Sequence, residues 1–247
     1  MKVFCVRIGD KYGPEYETYL NAKLSKYDLH WIRQPFDPRV HLQWNKMLPM
    51  SLDIDQPVCV MDIDTILVND YNCVFEYPIE RGQFLAHPNW WANNPRQKIN
   101  GGFFKYYPKD CRYIFDKFMQ NPQYWQTFYI KAGLTFGPVN GEQFFVQDSV
   151  QEQLELKILP DAWFTRWVTE NQLSLNLAND ASPTEKYTTW QLDISKQYNQ
   201  LTGNSYIYLG GEFHPDIKFV HFTHTMNKPH EWNDYNLHTT STTASNA

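Results

Sequence analysis

Residues 57–70 read Pro-Val-Cys-Val-Met-Asp-Ile-Asp-Thr-Ile-Leu-Val-Asn-Asp, an apolar strand that runs directly into two carboxylates, Asp62 and Asp64. In an open α/β sheet, ligands bind beyond the carboxyl ends of the strands. Two acids placed there make a hard oxygen site suited to a divalent cation such as Mg²⁺ or Mn²⁺. The same tripeptide occurs once more nearby, as Asp53-Ile54-Asp55. That copy precedes the strand, ahead of Gln56-Pro57, so its side chains belong to the opposite end of the sheet and read as a solvated loop.

Strand and helix patterns alternate around this segment. Residues 2–8 read as a first strand, and Pro14 marks a helix from Glu15 to about Ser25. Leu29 to Arg33 reads as a second strand, and residues 40–50 as a helix ending at Pro49. Further on, helices are expected around 109–119 and 142–152. Short strands are expected at Leu156–Pro160 and at Ile217–Phe222. This order predicts an α/β fold with a mostly parallel central sheet flanked by helices. Asn89–Pro95 reads as loop, 172–189 as a polar insertion and 233–247 as a disordered polar tail, leaving one domain over residues 1–232.

Composition excludes several classes. Net charge is −5, from 22 basic and 27 acidic residues, and no Lys/Arg cluster is present to neutralise a run of phosphates. A nucleic-acid partner is therefore not expected. No apolar run approaches the ~18–20 residues of a membrane span. The start of the chain reads as a strand and not as a secretory leader, which predicts a cytoplasmic protein. The four cysteines, Cys5, Cys59, Cys73 and Cys111, lack metal-ligand spacing and read as reduced core thiols. Aromatic residues make up 17% of the chain. Most such rings belong in a core, but Trp90, Trp91, Trp163 and Trp167 are candidates for packing against the C–H faces of sugar rings.

Four separated signals fit one site. Asp62 and Asp64 are the first. Asn100-Gly101-Gly102 is the second, where absent side chains allow a ligand close to the backbone. Gly141-Glu142-Gln143, at an expected helix start, is the third. The fourth is Val220-His221-Phe222 followed by Asn227-Lys228-Pro229. A mixed carboxylate and imidazole set favours Mn²⁺ over Mg²⁺. A cation and a Lys ammonium together can stabilise a departing diphosphate. A carboxylate beside the reacting carbon can orient an acceptor or take its proton.

In this order the motifs resemble the GT-A glycosyltransferases, and among them the glycogenin-like family that uses UDP-sugars. Asp62-Ile63-Asp64 is similar to the family's D-x-D, and Asn100-Gly101-Gly102 to its Asn-Ser-Gly. Gly141-Glu142-Gln143 is similar to its Gly-Asp-Gln, and His221 through Lys228-Pro229 to its closing His/Lys motif. Lys46 stands where the family has a Lys ahead of the metal strand. The departures are Glu142 in place of Asp, and a His-to-Lys spacing one residue longer without the family's Gly.

The resemblance implies a GT-A, Rossmann-like domain with a nucleotide-sugar donor and a carbohydrate acceptor. It implies metal ligation by Asp62, Asp64 and His221, with His224 as the alternative imidazole. It places the nucleotide near Arg7, Ile8, Gly9 and Tyr12, and the donor's phosphates and sugar near Lys46, Asp62, Asn100, Gly101, Gly102 and Lys228. Glu142, Gln143 and, as a substitute, Asp148 are the candidate catalytic residues. Arg7 reads equally as a salt-bridge partner, Tyr12 as a packed loop aromatic and Lys46 as a solvated helix residue. His30, His41, His87, His214 and His238 read as structural or surface residues.

Three rivals remain. A haloacid-dehalogenase-type phosphatase also places D-x-D after a strand, but Ile66 occupies the position where it needs Thr or Val, and no Asp-Asp pair exists in the chain. A nucleotidyltransferase needs a Gly-rich basic loop, of which Gly9-Asp10-Lys11-Tyr12-Gly13 is a faint echo. A non-catalytic glycan-binding protein accounts for the aromatic residues but not for Asp62, Asp64, His221 and Lys228 together.

Overall fold

The computed structural model describes residues 1–89, 95–135, 141–167 and 216–222. Contacts gather the chain into two compact units. The first comprises Met1–Ile63, Cys73–Asn89 and Pro95–Leu159, and the second comprises Asp64–Asn72, Trp90–Asn94 and Pro160–Ala247.

The first unit is built on a six-stranded sheet. Its strands are β1 (Lys2–Val6), β2 (Asp28–Ile32), β3 (Val58–Met61), β5 (Gln83–Pro88), β6 (Ile99–Tyr106) and β7 (Glu155–Ile158), in the order β2-β1-β3-β6-β5-β7. β1 pairs in parallel with both β2 and β3, and β5 in parallel with β7. β6 pairs antiparallel with β3 and β5, so it alone runs against the other five. Every residue of β3 and of β6 is buried. That is the burial expected of central strands covered on both faces, and it explains the continuous apolar run of β3.

Helices α1 (Pro14–Lys23), α3 (Pro108–Gln120), α4 (Pro122–Lys131) and α5 (Gly141–Gln153) accompany this sheet, with a short α2 at Asn72–Glu76. α1, α3 and α4 each carry Pro in the first turn, where its missing N–H costs nothing. The segment expected to be a helix over 40–50 is a 3-10 helix, Leu42–Ser51. Pro49 lies inside it, and its carbonyl accepts from the Leu52 amide at 3.3 Å. Trp44 from this helix stacks on Phe118 of α3 with ring centroids 5.1 Å apart. Around that pair, Phe104, Tyr129, Phe144 and Phe145 complete an aromatic core.

The second unit holds a three-stranded sheet of β4 (Thr65–Leu67), β9 (Phe219–Phe222) and β8 (Phe164–Trp167), with β9 in the middle. β4 and β9 are antiparallel, with Thr65 opposite His221, while β8 and β9 are parallel. The insertion at 172–189 and the tail at 233–247 lie outside the described residues.

The cysteines are free, and Cys5, Cys59 and Cys111 are buried. Burial raises the Cys5 thiol and pushes that of Cys59 up to about 12, so both are held as inert thiols. Asp53 and Asp55 are largely exposed and paired with Lys109, as expected of a solvated loop. No helix among the described residues is long and apolar enough to cross a membrane.

Candidate functional site

The first unit brings three of the singled-out segments together around the ammonium of Lys46. Lys46 lies in the 3-10 helix among the buried residues Trp44, Asn45 and Met47, and is itself only 4% exposed. A buried ammonium must be met by compensating groups. Its Nζ lies 2.5 Å from Asp62 Oδ1, 2.8 Å from the Gly101 carbonyl and 3.6 Å from Glu142 Oε1. The solvated-helix reading of Lys46 therefore does not hold.

Asp62 follows β3 directly, and its amide donates to the Gly102 carbonyl at 2.9 Å, continuing the β3–β6 ladder by one residue. Asn100, Gly101 and Gly102 lie within β6. A Cβ at 101 would sit 2.5 Å from Glu142 Oε1, so any side chain there would displace that carboxylate. The Gly101 amide donates to Gln143 Oε1 at 3.0 Å, and the Gly102 amide to Asn100 Oδ1 at 2.8 Å. These bonds leave the amide nitrogens of Gln143 and Asn100 as the ends able to donate elsewhere.

Glu142 stands in the first turn of α5 and is 3% exposed. Burial pushes its carboxyl up to about 7; Lys46 pulls it down and Asp62 adds to the rise. Its Oε2 is buried with no hydrogen-bond partner among the described residues. A carboxyl poised near neutrality in such a cluster has the proton affinity expected of an acid–base group. Asp148 is six residues further along α5, about 120° around the helix. It accepts from the Tyr129 hydroxyl at 3.1 Å and from Arg96 at 3.4 Å.

At the carboxyl end of β1, Gly9 adopts φ +77°, a left-handed conformation that glycine takes without strain. Ile8 is half-buried. Arg7 bonds Glu17 and also donates to the Tyr12 carbonyl at 3.2 Å. The Tyr12 ring meets Tyr16 edge-on at 4.9 Å, and Lys11 lies over it at 4.6 Å. Both the salt bridge expected of Arg7 and the packed ring expected of Tyr12 are present.

In the second unit, Asp64 immediately precedes β4, and the register sets His221 across from the next residue, Thr65. His221 is buried, with Nδ1 3.4 Å from Thr65 Oγ1. Asp64 and His221 offer ligand atoms within 4.8 Å of each other. Only Ile63 separates Asp64 from Asp62, so the chain itself keeps their Cα atoms within about 7 Å. His224, Lys228, Trp90 and Trp91 lie outside the described residues. Trp163 is half-buried in a 3-10 turn, and Trp167 belongs to β8.

No protein-family profile and no curated protein matches this sequence. Solved structures do match. The galactosyltransferase LgtC, in complex with donor and acceptor sugar analogs, aligns over 100% of this chain and 97% of its own, with TM-score 0.54 and 10% identity. An active-site mutant of LgtC aligns over the same shares with TM-score 0.51 and 9% identity. The apo form of the glycosyltransferase GlyE from Streptococcus pneumoniae TIGR4 aligns over 94% of this chain with TM-score 0.50 and 13% identity.

The chain has the GT-A fold.

Within the GT-A fold, this chain spans 56% of the length of GlyE and nearly all of LgtC. The GT-A sheet accounts for the gathering of Lys46, Asp62, Gly101 and Glu142, because β3 and the antiparallel β6 deliver Asp62 and Gly102 side by side. Sequence reasoning missed Thr65 beside His221, and Glu17 and Arg33 beside Arg7. The Thr65 position directly after D-x-D was its only local signal.

Proposed function

We propose that this chain is a metal-dependent glycosyltransferase moving a sugar, a hexose, from a nucleotide-diphosphate sugar to a hydroxyl of a glycan or similar acceptor. A UDP-sugar is the proposed donor. One observation carries the reading: in a GT-A fold, the acid ending β3, the buried Lys46 and the near-neutral Glu142 converge on the glycine backbone of β6.

Asp62, Asp64 and His221 would hold Mn²⁺ or Mg²⁺, and their mixed oxygen and nitrogen set suits Mn²⁺. The ion, when bound, supplies charge stabilisation to the departing diphosphate. Lys46 occupies one oxygen of Asp62, which leaves the other for a ligand. A His221 tautomer with its proton on Nδ1, facing Thr65 Oγ1 at 3.4 Å, would present the Nε2 lone pair to the ion. Lys228 would add a positive charge to the diphosphate. Gly102 would allow the donor sugar against the backbone, while the side-chain space at Gly101 is taken by Glu142, and Asn100 and Gln143 can donate hydrogen bonds to the sugar's oxygens. Glu142 is the proposed catalytic or acceptor-orienting carboxylate, because it combines burial, a raised proton affinity and contact with Lys46. Asp148, engaged by Tyr129 and Arg96, is the weaker candidate. Arg7, Ile8, Gly9 and Tyr12 would receive the nucleotide. Reduced buried thiols support a cytoplasmic setting.

A screen of UDP- and GDP-sugars for hydrolysis with Mn²⁺ tests this reading. Slow release of UDP from one donor, dependent on the ion, is the expected result. Binding of glycans without nucleotide release from any donor would instead favour a lectin-like protein.

A further inference from the structure

β1 and β2 run parallel in register, from Lys2 opposite Asp28 to Val6 opposite Ile32. The Arg7 amide donates to the Ile32 carbonyl at 2.9 Å, which carries the ladder one step beyond both strands. The next residues out are Arg7 and Arg33. Two guanidiniums at neighbouring strand ends repel each other unless an anion is shared between them.

Glu17, in the first turns of α1, is that anion. Its Oε1 accepts from Arg7 Nε and, at 3.1 Å, from Arg33 Nε, while Oε2 accepts from Arg33 Nη2 at 2.7 Å. Its side chain is only 13% exposed. The bond from Arg33 is the leading cause that holds its carboxyl below the usual range, so the group is ionised at neutral pH. Arg7 turns its remaining arm to the Tyr12 carbonyl at 3.2 Å. The connection therefore runs from Arg33 through Glu17 and Arg7 to the loop of residues 8–13. That loop contains Gly9, whose backbone is left-handed and whose Cβ position has no heavy atom within 4 Å among the described residues, its chain neighbours aside.

We infer that Glu17 is a positioning residue for donor binding. By neutralising Arg33 and fixing Arg7, it clamps the 8–13 loop in the shape that receives the nucleotide. The inference rests on the glycosyltransferase reading, which gives that loop its ligand. A glutamine at this position keeps the shape but not the function of the clamp. It offers one carbonyl oxygen and one NH₂ group, and the NH₂ would face a guanidinium. The two arginines would then separate, and Arg7 would release the Tyr12 carbonyl. Loop order lost in the free protein must be regained on binding, so the effect falls on donor affinity.

The test uses the full chain as wild type, Glu17→Gln and Glu17→Asp. Glu76→Gln serves as the control, since Glu76 is exposed and paired only at the surface with Lys26. Amide exchange of residues 9–13 reads the clamp without any ligand, and calorimetry with UDP and Mn²⁺ reads its consequence. Glu17→Gln is expected to speed exchange in residues 9–13 and to weaken UDP binding about tenfold, with kcat within about twofold of wild type. Glu17→Asp is expected to recover part of both, and the control to match wild type. Unchanged exchange in Glu17→Gln, or faster exchange with unchanged UDP affinity, would overturn the clamp. A fall in kcat matched by a fall in melting temperature would do the same. A wild type that binds neither UDP nor GDP would instead overturn the glycosyltransferase reading, and the purpose of the clamp with it.

Discussion

Lys46 Nζ lies 2.5 Å from Asp62 Oδ1, and the same ammonium is 3.6 Å from Glu142 Oε1. One buried cation thus serves both a proposed metal ligand and the proposed catalytic carboxylate. Replacing it with an apolar side chain of similar length would strand two acids. Lys46→Met is expected to destabilise the fold by about 3–5 kcal/mol, the usual cost of breaking a buried ion pair from one side. Urea unfolding of the purified variant measures this, and a loss under about 1 kcal/mol would mean the ammonium is dispensable to the fold.

The contact between Gly101 and Glu142 sets a second expectation. A Cβ at 101 would fall 2.5 Å from Glu142 Oε1. Gly101→Ala should therefore cost about 1–3 kcal/mol through overpacking. Glu142→Asp withdraws the carboxylate by one methylene. The double variant should be less destabilised than the sum of the two single changes. Additive losses in denaturant titrations would show that the two positions do not meet.

Glu142 also gives the protein a pH signature. Its carboxyl moves from the ordinary 4.5 to about 7 on folding. Between those values the folded chain binds more protons than the unfolded chain, so stability falls as pH rises through this window. The loss attributable to this group is on the order of 3 kcal/mol, present in full above about pH 7 and absent below about pH 4.5. Glu142→Gln does not titrate there. Its stability relative to wild type should improve steadily from pH 5 to pH 8, and a difference that stays flat with pH would contradict the assignment.

The two carboxylates of α5 should separate in kinetics. Glu142→Gln is expected to lower kcat roughly 100-fold or more while donor affinity changes little. Asp148→Asn, whose parent group is engaged by Tyr129 and Arg96, should stay within roughly threefold of wild type. The reverse ranking in initial-rate measurements would move the catalytic role to Asp148.

Much of this arrangement was legible in the sequence where local chemistry and topology agree. The apolar run into Asp62 marks β3 and its carboxyl end, and the helix expected around 142–152 places Glu142 at its start, where α5 begins. Lys46 was harder to read. A lysine in an expected helix carries no local sign of burial, and only the fold brings Asp62 and Gly101 to it. Asn100-Gly101-Gly102 looks like a break because glycine is poor in strands. In the structure β6 runs through it, since the space a side chain would fill belongs to Glu142.

α4 was missed because its Tyr, Trp, Thr, Phe and Ile content resembles a strand. Its signal was Asn121-Pro122, where Asn121 caps the Tyr124 amide at 3.0 Å and Pro122 opens the helix. The sharing of Glu17 by Arg7 and Arg33 depends on strand register, which residue spacing does not disclose.

The proposed site holds a divalent ion between Asp62, Asp64 and His221 for a sugar nucleotide. The most direct measurement is Mn²⁺-dependent release of UDP from a UDP-sugar by wild type, Asp64→Ala and His221→Ala, with folding followed by circular dichroism. Both variants should keep the wild-type spectrum and lose roughly 100-fold or more of the ion-dependent rate. Folded variants that release UDP at the wild-type rate, with the same Mn²⁺ dependence, would contradict it.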